Sequence, residues 1–256
     1  MKTKTLLFLF CFVSLNVMGQ GTITRQSTRK TRPKQNKTEQ PARQTPAKKR
    51  GTDNQSQKSR PTTGTLNGHE WVDLGLSVKW ATCNVGANSP SDYGGYYAWG
   101  ELSTKSSYEW GNCFDCINGI WYQDSGWGIY KLSGQTRIIP SSGHDTAREN
   151  WGSTWRMPTY DEYDELCKNS KWTWTEQNGH KGYIITGPNG NSIFLPAAGR
   201  RLGNDSQSVG ERGFYWSSML GGVVSNEACI LLIIDGWYTT FNHLRGNGLS
   251  VRPVTE

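Results

Sequence analysis

Arg156-Met157-Pro158-Thr159-Tyr160-Asp161-Glu162-Tyr163-Asp164-Glu165-Leu166-Cys167 carries the one well-specified helix signal in a chain that otherwise reads as strand and turn. Thr159 is a good N-cap, and Glu162 three residues on closes a capping box. Asp161 and Glu162 complement the helix dipole in the first turn. Tyr163, Leu166 and Cys167 then fall on one face at i, i+3 and i+4.

Outward from this helix the periodicity changes. Tyr183-Ile184-Ile185-Thr186 and Ser192-Ile193-Phe194-Leu195 flank Gly187-Pro188-Asn189-Gly190-Asn191, which predicts a hairpin. Residues 229–234 are fully apolar and suit a buried central strand, and residues 237–241 follow Asp235-Gly236 to pair back on it. Upstream, residues 70–82 read as a strand broken by Gly75. At the far end, residues 249–254 read as a last short strand, with Pro253 marking an edge or a strand end. Residues 102–150 show little periodicity and many Gly, Ser and Trp, which reads as long loops. Arg200 and Arg201 follow Ala197-Ala198-Gly199 and open a second long loop over residues 199–213.

The N-terminal quarter is of another kind. Lys2 and Lys4 precede an apolar run over residues 6–13, too short to span a bilayer, and Val17-Met18-Gly19 supplies small residues at its end. This is the pattern of a signal peptide over residues 1–19, cut before Gln20. The expected location is therefore the cell envelope or the exterior. Residues 20–66 hold twelve Lys/Arg against Glu39 and Asp53 and almost nothing apolar. Such a segment cannot offset its ordering entropy and is expected to be a disordered basic tether. Export argues against nucleic acid as its partner. Acidic envelope components are the charged targets within reach, and a plain solvated spacer is the other reading. No further stretch is apolar enough to predict a membrane span, so an integral membrane protein is not expected. Residues 67–256 hold 14 Lys/Arg against 19 Asp/Glu, all twelve Trp and all eleven Tyr. A segment of this length buries roughly 70% of its unfolded surface in one core.

Several blocks carry a resemblance to a known family. They are Trp71-Val72-Asp73-Leu74-Gly75-Leu76-Ser77-Val78-Lys79-Trp80-Ala81-Thr82-Cys83-Asn84-Val85-Gly86-Ala87 and Asp92-Tyr93-Gly94-Gly95-Tyr96-Tyr97-Ala98-Trp99-Gly100-Glu101. Next come Trp151-Gly152-Ser153-Thr154-Trp155-Arg156-Met157-Pro158-Thr159 and Phe194-Leu195-Pro196-Ala197-Ala198-Gly199. The last are Phe214-Tyr215-Trp216-Ser217-Ser218 and Ser250-Val251-Arg252-Pro253-Val254. In order across residues 67–256 they resemble the Fibrobacter succinogenes major paralogous domain, a family common in exported proteins and without an assigned reaction. The helix start, the Tyr-Trp-Ser-Ser block and the terminal Val-Arg strand also resemble the C-terminal domain of the Legionella collagen-like adhesin, which binds sulfated glycans. More distantly they are similar to formylglycine-generating enzymes. The resemblance implies an α+β, C-type-lectin-like domain with short antiparallel sheets, one or two helices and long loops.

The chemistry-bearing residues favour binding over catalysis. Cys113-Phe114-Asp115-Cys116 is a CxxC in loop-like sequence, read as a local disulfide or as two bonds to other cysteines. Cys167 and Cys229 sit on apolar faces and read as buried free thiols. His69, His144, His180 and His243 are scattered without metal spacing, and no phosphate-cradling or nucleophile-elbow motif occurs. No cofactor and no metal is expected. The Glu-Pro-Asn and Trp-Asn-Asp triplets of calcium-dependent lectins are absent from the sequence. Trp110, Trp121, Tyr122 and Trp127 lie among Gly and Asn, where they either stack on sugar faces or cap the core. Arg200 and Arg201 suit sulfate or carboxylate. The expected ligand-binding residues are Trp121, Tyr122, Trp127, Arg200, Arg201 and Trp237. The expected function is a non-catalytic binding or adhesion module for a polysaccharide or surface polymer. The alternatives are an oxidase related to formylglycine-generating enzymes and a structural part of a surface assembly.

Overall fold

The structure, a computed structural model, describes residues 62–113, 129–132, 135–138, 140–221 and 226–256. In chain order these form β1 (Thr63–Leu66), β2 (His69–Asp73), β3 (Lys79–Ala81), β4 (Ile129–Leu132), β5 (Gln135–Ile138), α1 (Thr146–Trp151), α2 (Tyr160–Asn169), β6 (Lys171–Gln177) and β7 (His180–Thr186). They continue with β8 (Ser192–Pro196), β9 (Arg200–Leu202), β10 (Asp205–Gln207), β11 (Arg212–Leu220), β12 (Glu227–Ile234), β13 (Trp237–Leu244) and β14 (Val254–Thr255). The class is α+β with antiparallel sheets. Their orders are β1-β2-β3-β14, β6-β7-β8, β13-β12-β11-β5-β4, and the pair β10-β9.

The helix stands as the sequence predicts. The Thr159 side chain accepts from the Glu162 N–H, and the Glu162 carboxylate accepts from the Thr159 N–H at 2.8 Å. Arg156 grips the same carboxylate at 2.6 and 2.9 Å, so a residue three positions ahead of the cap orients it. The predicted hairpin is β7–β8, with Ile185 opposite Ile193. The apolar run is β12, hydrogen-bonded on both sides. Its faces alternate between two cores. Ala228 and Ile230 join Trp216, Trp155 and Met157 on one side, whereas Leu231 and Ile233 join Tyr215, Tyr163 and Leu166 on the other. A sheet covered on both faces wants apolar residues at every position, which is why this strand lacks a polar alternation.

Four expectations are corrected. The expected tether cannot reach residue 66, because Thr63–Leu66 is the edge strand β1, paired with β2 through an Asn67-Gly68 turn at φ +48° and +82°. Two left-handed residues in a row make the hairpin turn whose twist matches the strands. The strand is polar in composition but is held by its ladder, and the Leu66 carbonyl accepts from Trp155 Nε1 at 3.0 Å. Residues 199–213 are not one long loop; they contain the β9–β10 hairpin. Strands of three residues leave no periodicity to read. Residues 102–150 include α1, capped by the Asp145 side chain, and the β4–β5 hairpin. Residues 249–254 form a regular strand only at Val254; Leu249 and Ser250 make single bridges to Tyr97 and Tyr215.

Two buried charged groups tie the elements together. Asp145 accepts from the Arg148 and Met157 N–H groups, and burial pushes its pKa up to about 6. Arg252 is fully buried. It donates to Asn84 Oδ1 at 2.8 Å and to the carbonyls of Ala81, Thr82 and Phe194 at 3.0, 2.6 and 3.0 Å. The guanidinium thereby joins the β3 end, the Asn84 loop and β8 without a carboxylate among its hydrogen-bond partners.

Candidate functional site

β13 is the outer strand of the five-stranded sheet, and its side chains alternate. Tyr238 points to the helix side, where it stacks on Trp172 at 4.2 Å and is taken up by packing. Trp237 and Phe241 point the other way. They are 51% and 59% exposed, more than any other large apolar residues described. The register puts Ile234 beside Trp237 and Ile230 beside Phe241, with Arg212 beside Ile234 on the next strand. Directly paired residues share a face, so an arginine lies on the same face as the two aromatics, which stand on rigid backbone.

Arg200 completes this face from β9. Its guanidinium lies over the Phe214 ring at 5.5 Å. It donates twice to Gln207 Oε1, at 3.0 and 3.2 Å, and Nη1 lies 3.0 Å from His243 Nε2. The Asn247 amide also meets His243 Nε2, at 3.1 Å. Both neighbours are donors, so Nε2 must be the bare nitrogen and the proton sits on Nδ1. Burial, and then the Arg200 charge, pull the His243 pKa down to about 4. Arg200 itself is shifted down by burial and then by Arg212. No carboxylate pairs with Arg200 or Arg212 among the described residues. Two guanidiniums on one face without a carboxylate partner form a place for an anion.

A pocket of about 420 Å³ adjoins this face. One wall is the β9–β10 hairpin, whose Leu202, Asp205 and Gln207 share a side with Arg200. The facing wall is Trp110 on a 3₁₀ turn, and Leu244 and Asn247 close the end. Its walls are fastened at the backbone: Tyr108 and Gly203 exchange two N–H···O bonds, each at 2.9 Å. Arg201 adds a second tie by donating to the carbonyls of Ser106 and Asn204 at 3.1 and 2.9 Å.

The expected site residues fare differently. Trp237 is exposed on the sheet and Arg200 stands beside the same face. Arg201, next in the strand, points to the opposite side and donates through Nη2 to the carbonyls of Ser106 and Asn204, so the two arginines do not act as a pair. Trp121, Tyr122, Trp127 and Cys116 lie outside the described residues. Cys113 is disulfide-bonded, and Cys83, Cys167 and Cys229 are free thiols. Burial pushes Cys167 up to about 12 and Cys229 up to about 11, so neither is a thiolate at neutral pH. Phe241, Arg212, Gln207, His243 and Asn247 were not anticipated. Phe241 could have been found from its i+4 spacing to Trp237 on an alternating strand; the others converge only through the fold. Among the described residues no group of three or more His, Cys, Asp or Glu could hold a metal ion, and no helix is long and apolar enough to cross a membrane. Among known proteins, no family model, curated protein or solved structure matches the chain.

Proposed function

We propose that this chain is an exported, non-catalytic binding module with a C-type-lectin-like domain that recognises a polysaccharide or similar surface polymer, held on a basic tether. One observation carries the reading: Trp237 and Phe241 stand exposed on a rigid sheet beside Arg200 and Arg212, which have no carboxylate partner among the described residues. Aromatic faces offer large apolar contact to sugar rings at small entropy cost, and guanidinium forks suit sulfate or uronate. The basic tether, with acidic envelope components in reach, adds attraction of a less selective kind.

The test is a glycan array with the mature protein, followed by affinity electrophoresis in gels containing acidic or neutral polysaccharides. Retardation is expected in an acidic polymer, with and without EDTA. It should weaken as salt rises, since exposed charge is screened within about 10 Å at 0.1 M. Trp237→Ala and Phe241→Ala should each reduce it while the unfolding temperature stays put. No binding to any glycan, or undiminished binding by both variants, overturns the reading.

A further inference from the structure

We infer that the pocket between Trp110 and the β9–β10 hairpin holds a single N-acetylhexosamine unit of the polymer, a deepening that rests on the glycan reading above. The volume of about 420 Å³ is within the range of about 300–1,000 Å³ usual for small-molecule sites. Trp110 is 39% exposed, and Leu202 and Leu244 are each 40% exposed. A ring to stack on and two leucines in one small concavity ask for a ligand with both a flat sugar face and a further apolar group. A plain hexose has the first only. An acetamido methyl supplies the second, and the amide N–H beside it needs an acceptor, for which the Asp205 carboxylate is placed. Gln207 offers the complement. Its Oε1 is occupied by Arg200, so the amide NH₂ is the end left to donate to a carbonyl or a hydroxyl.

The charges sort the ligand further. Asp205 and Glu109 both line the pocket, and no Lys or Arg does. A uronate or a sulfate would be repelled there, whereas it is welcomed at Arg200 and Arg212 next door. The unit in the pocket is therefore uncharged, and acidic groups of the same polymer belong on the sheet.

The pocket is also built in advance. Asn112 Oδ1 accepts from the Glu109 N–H at 3.1 Å, and Asn112 Nδ2 donates to Ser107 O at 3.1 Å. Lys105 adds a bond to Asn112 O at 2.8 Å. These bonds fix the turn that carries Trp110, while Arg201 and the Tyr108–Gly203 bridge hold the opposite wall to it. Little ordering cost is left for binding. Arg201 is thus a positioning residue.

Isothermal titration calorimetry on the mature full-length protein tests the assignment, with chitotetraose and cellotetraose as probes. The two differ at the acetamido groups. Chitotetraose should bind at least about tenfold more tightly than cellotetraose, and Trp110→Ala should weaken it by about tenfold or more, as loss of a stacking ring does elsewhere. Asp205→Asn should also weaken it, without lowering the unfolding temperature, because the side chain is exposed. Equal binding of both tetramers overturns the acetamido assignment. Unchanged binding by a folded Trp110→Ala protein overturns the pocket. If acidic polymers bind and depend on Trp237 while neither tetramer does, the pocket inference fails and the glycan reading stands. If nothing on the array binds, the glycan reading itself has failed. Solubilised peptidoglycan strands and desialylated mucin glycans separate a cell-wall source from a host source, and binding to either supports the inference.

Discussion

Arg252 is the side chain whose loss the fold should feel most. It is fully buried and meets four acceptors: Asn84 Oδ1 and the carbonyls of Ala81, Thr82 and Phe194. Replacement by Met removes every donor at once while keeping an unbranched side chain of moderate length. Each acceptor left bare in the interior costs about 1–3 kcal/mol. Against this, the variant no longer carries the desolvation penalty of a buried cation, itself several kcal/mol. Four bare acceptors less that penalty leave a net loss of about 3–5 kcal/mol. For a unit running from Gln57 to Glu256, each kcal/mol moves the unfolding temperature by about 2–4 °C. Scanning calorimetry at pH 7 should therefore show Arg252→Met melting roughly 10 °C below the parent. Arg252→Lys should recover part of the loss, because an ammonium restores the charge but has three donors and cannot fork across four acceptors. A fall of less than about 3 °C for the Met variant would show that these carbonyls find other partners, and would refute the view of Arg252 as the link between β3 and β8.

A chain beginning at residue 62 should keep the full unfolding temperature. One beginning at residue 67 should lose several degrees, because it lacks the β1 ladder and the Leu66 carbonyl that receives Trp155; equal melting of the two sinks this. Thr159→Ala should cost about 1 kcal/mol, or about 2–4 °C, by removing the N-cap of α2. Titration with a thiol reagent under denaturing, non-reducing conditions should count at least three free cysteines, those at 83, 167 and 229. His243 is held near pKa 4, below its value of about 6.5 in the unfolded chain, so its contribution is complete above pH 6.5 and is lost as pH falls toward 4. That loss reaches about 3 kcal/mol, and His243→Gln, which still offers an acceptor to Arg200, should escape it. Asp145, raised to about 6, works in the opposite direction, gaining stability as pH falls from 6. The decisive quantity is therefore the difference between variant and parent, which should move in the variant's favour from pH 7 to pH 4.

What could be read from the sequence was set by the length and regularity of each element. The α2 cap, the β7–β8 hairpin and β12 are long enough to show a period or an unbroken apolar run. β6 was not predicted, although Trp172 and Trp174 alternate with threonines ahead of an Asn178-Gly179 turn at φ +50° and +81°. β1 was hidden by its composition: Thr-Gly-Thr-Leu continues the polar character of the sequence before it, although the Asn67-Gly68 turn after it was a signal. β9 and β10 have three residues each, too few to carry a pattern. The site was legible only in part. Trp237 and Arg200 are conspicuous residue types, but Gln207, His243 and Asn247 meet because β10, β13 and the segment after β13 converge, and no local spacing encodes that.

The blocks by which the sequence resembles the Fibrobacter succinogenes major paralogous domain and the residues of the candidate site hardly overlap, and burial explains why. Trp80, Trp99, Trp155, Met157, Tyr215, Trp216 and Arg252 all come from those blocks, and all are buried. Three of the indoles spend their N–H inside the fold: Trp99 Nε1 on the Ser217 carbonyl at 2.9 Å, Trp216 Nε1 on the Tyr97 carbonyl at 2.7 Å, Trp155 Nε1 on that of Leu66. Groups satisfied in this way have nothing left to offer a ligand. Trp110, Gln207, Arg212, Trp237, Phe241 and Asn247 stand outside the blocks, and Trp110, Arg212, Trp237 and Phe241 are exposed. A shared block therefore speaks for a shared scaffold, not for a shared ligand. By the same reasoning, exchanging the β9–β10 hairpin and the Trp110 turn for other sequences should change what is bound while leaving the Arg252 links and both cores in place.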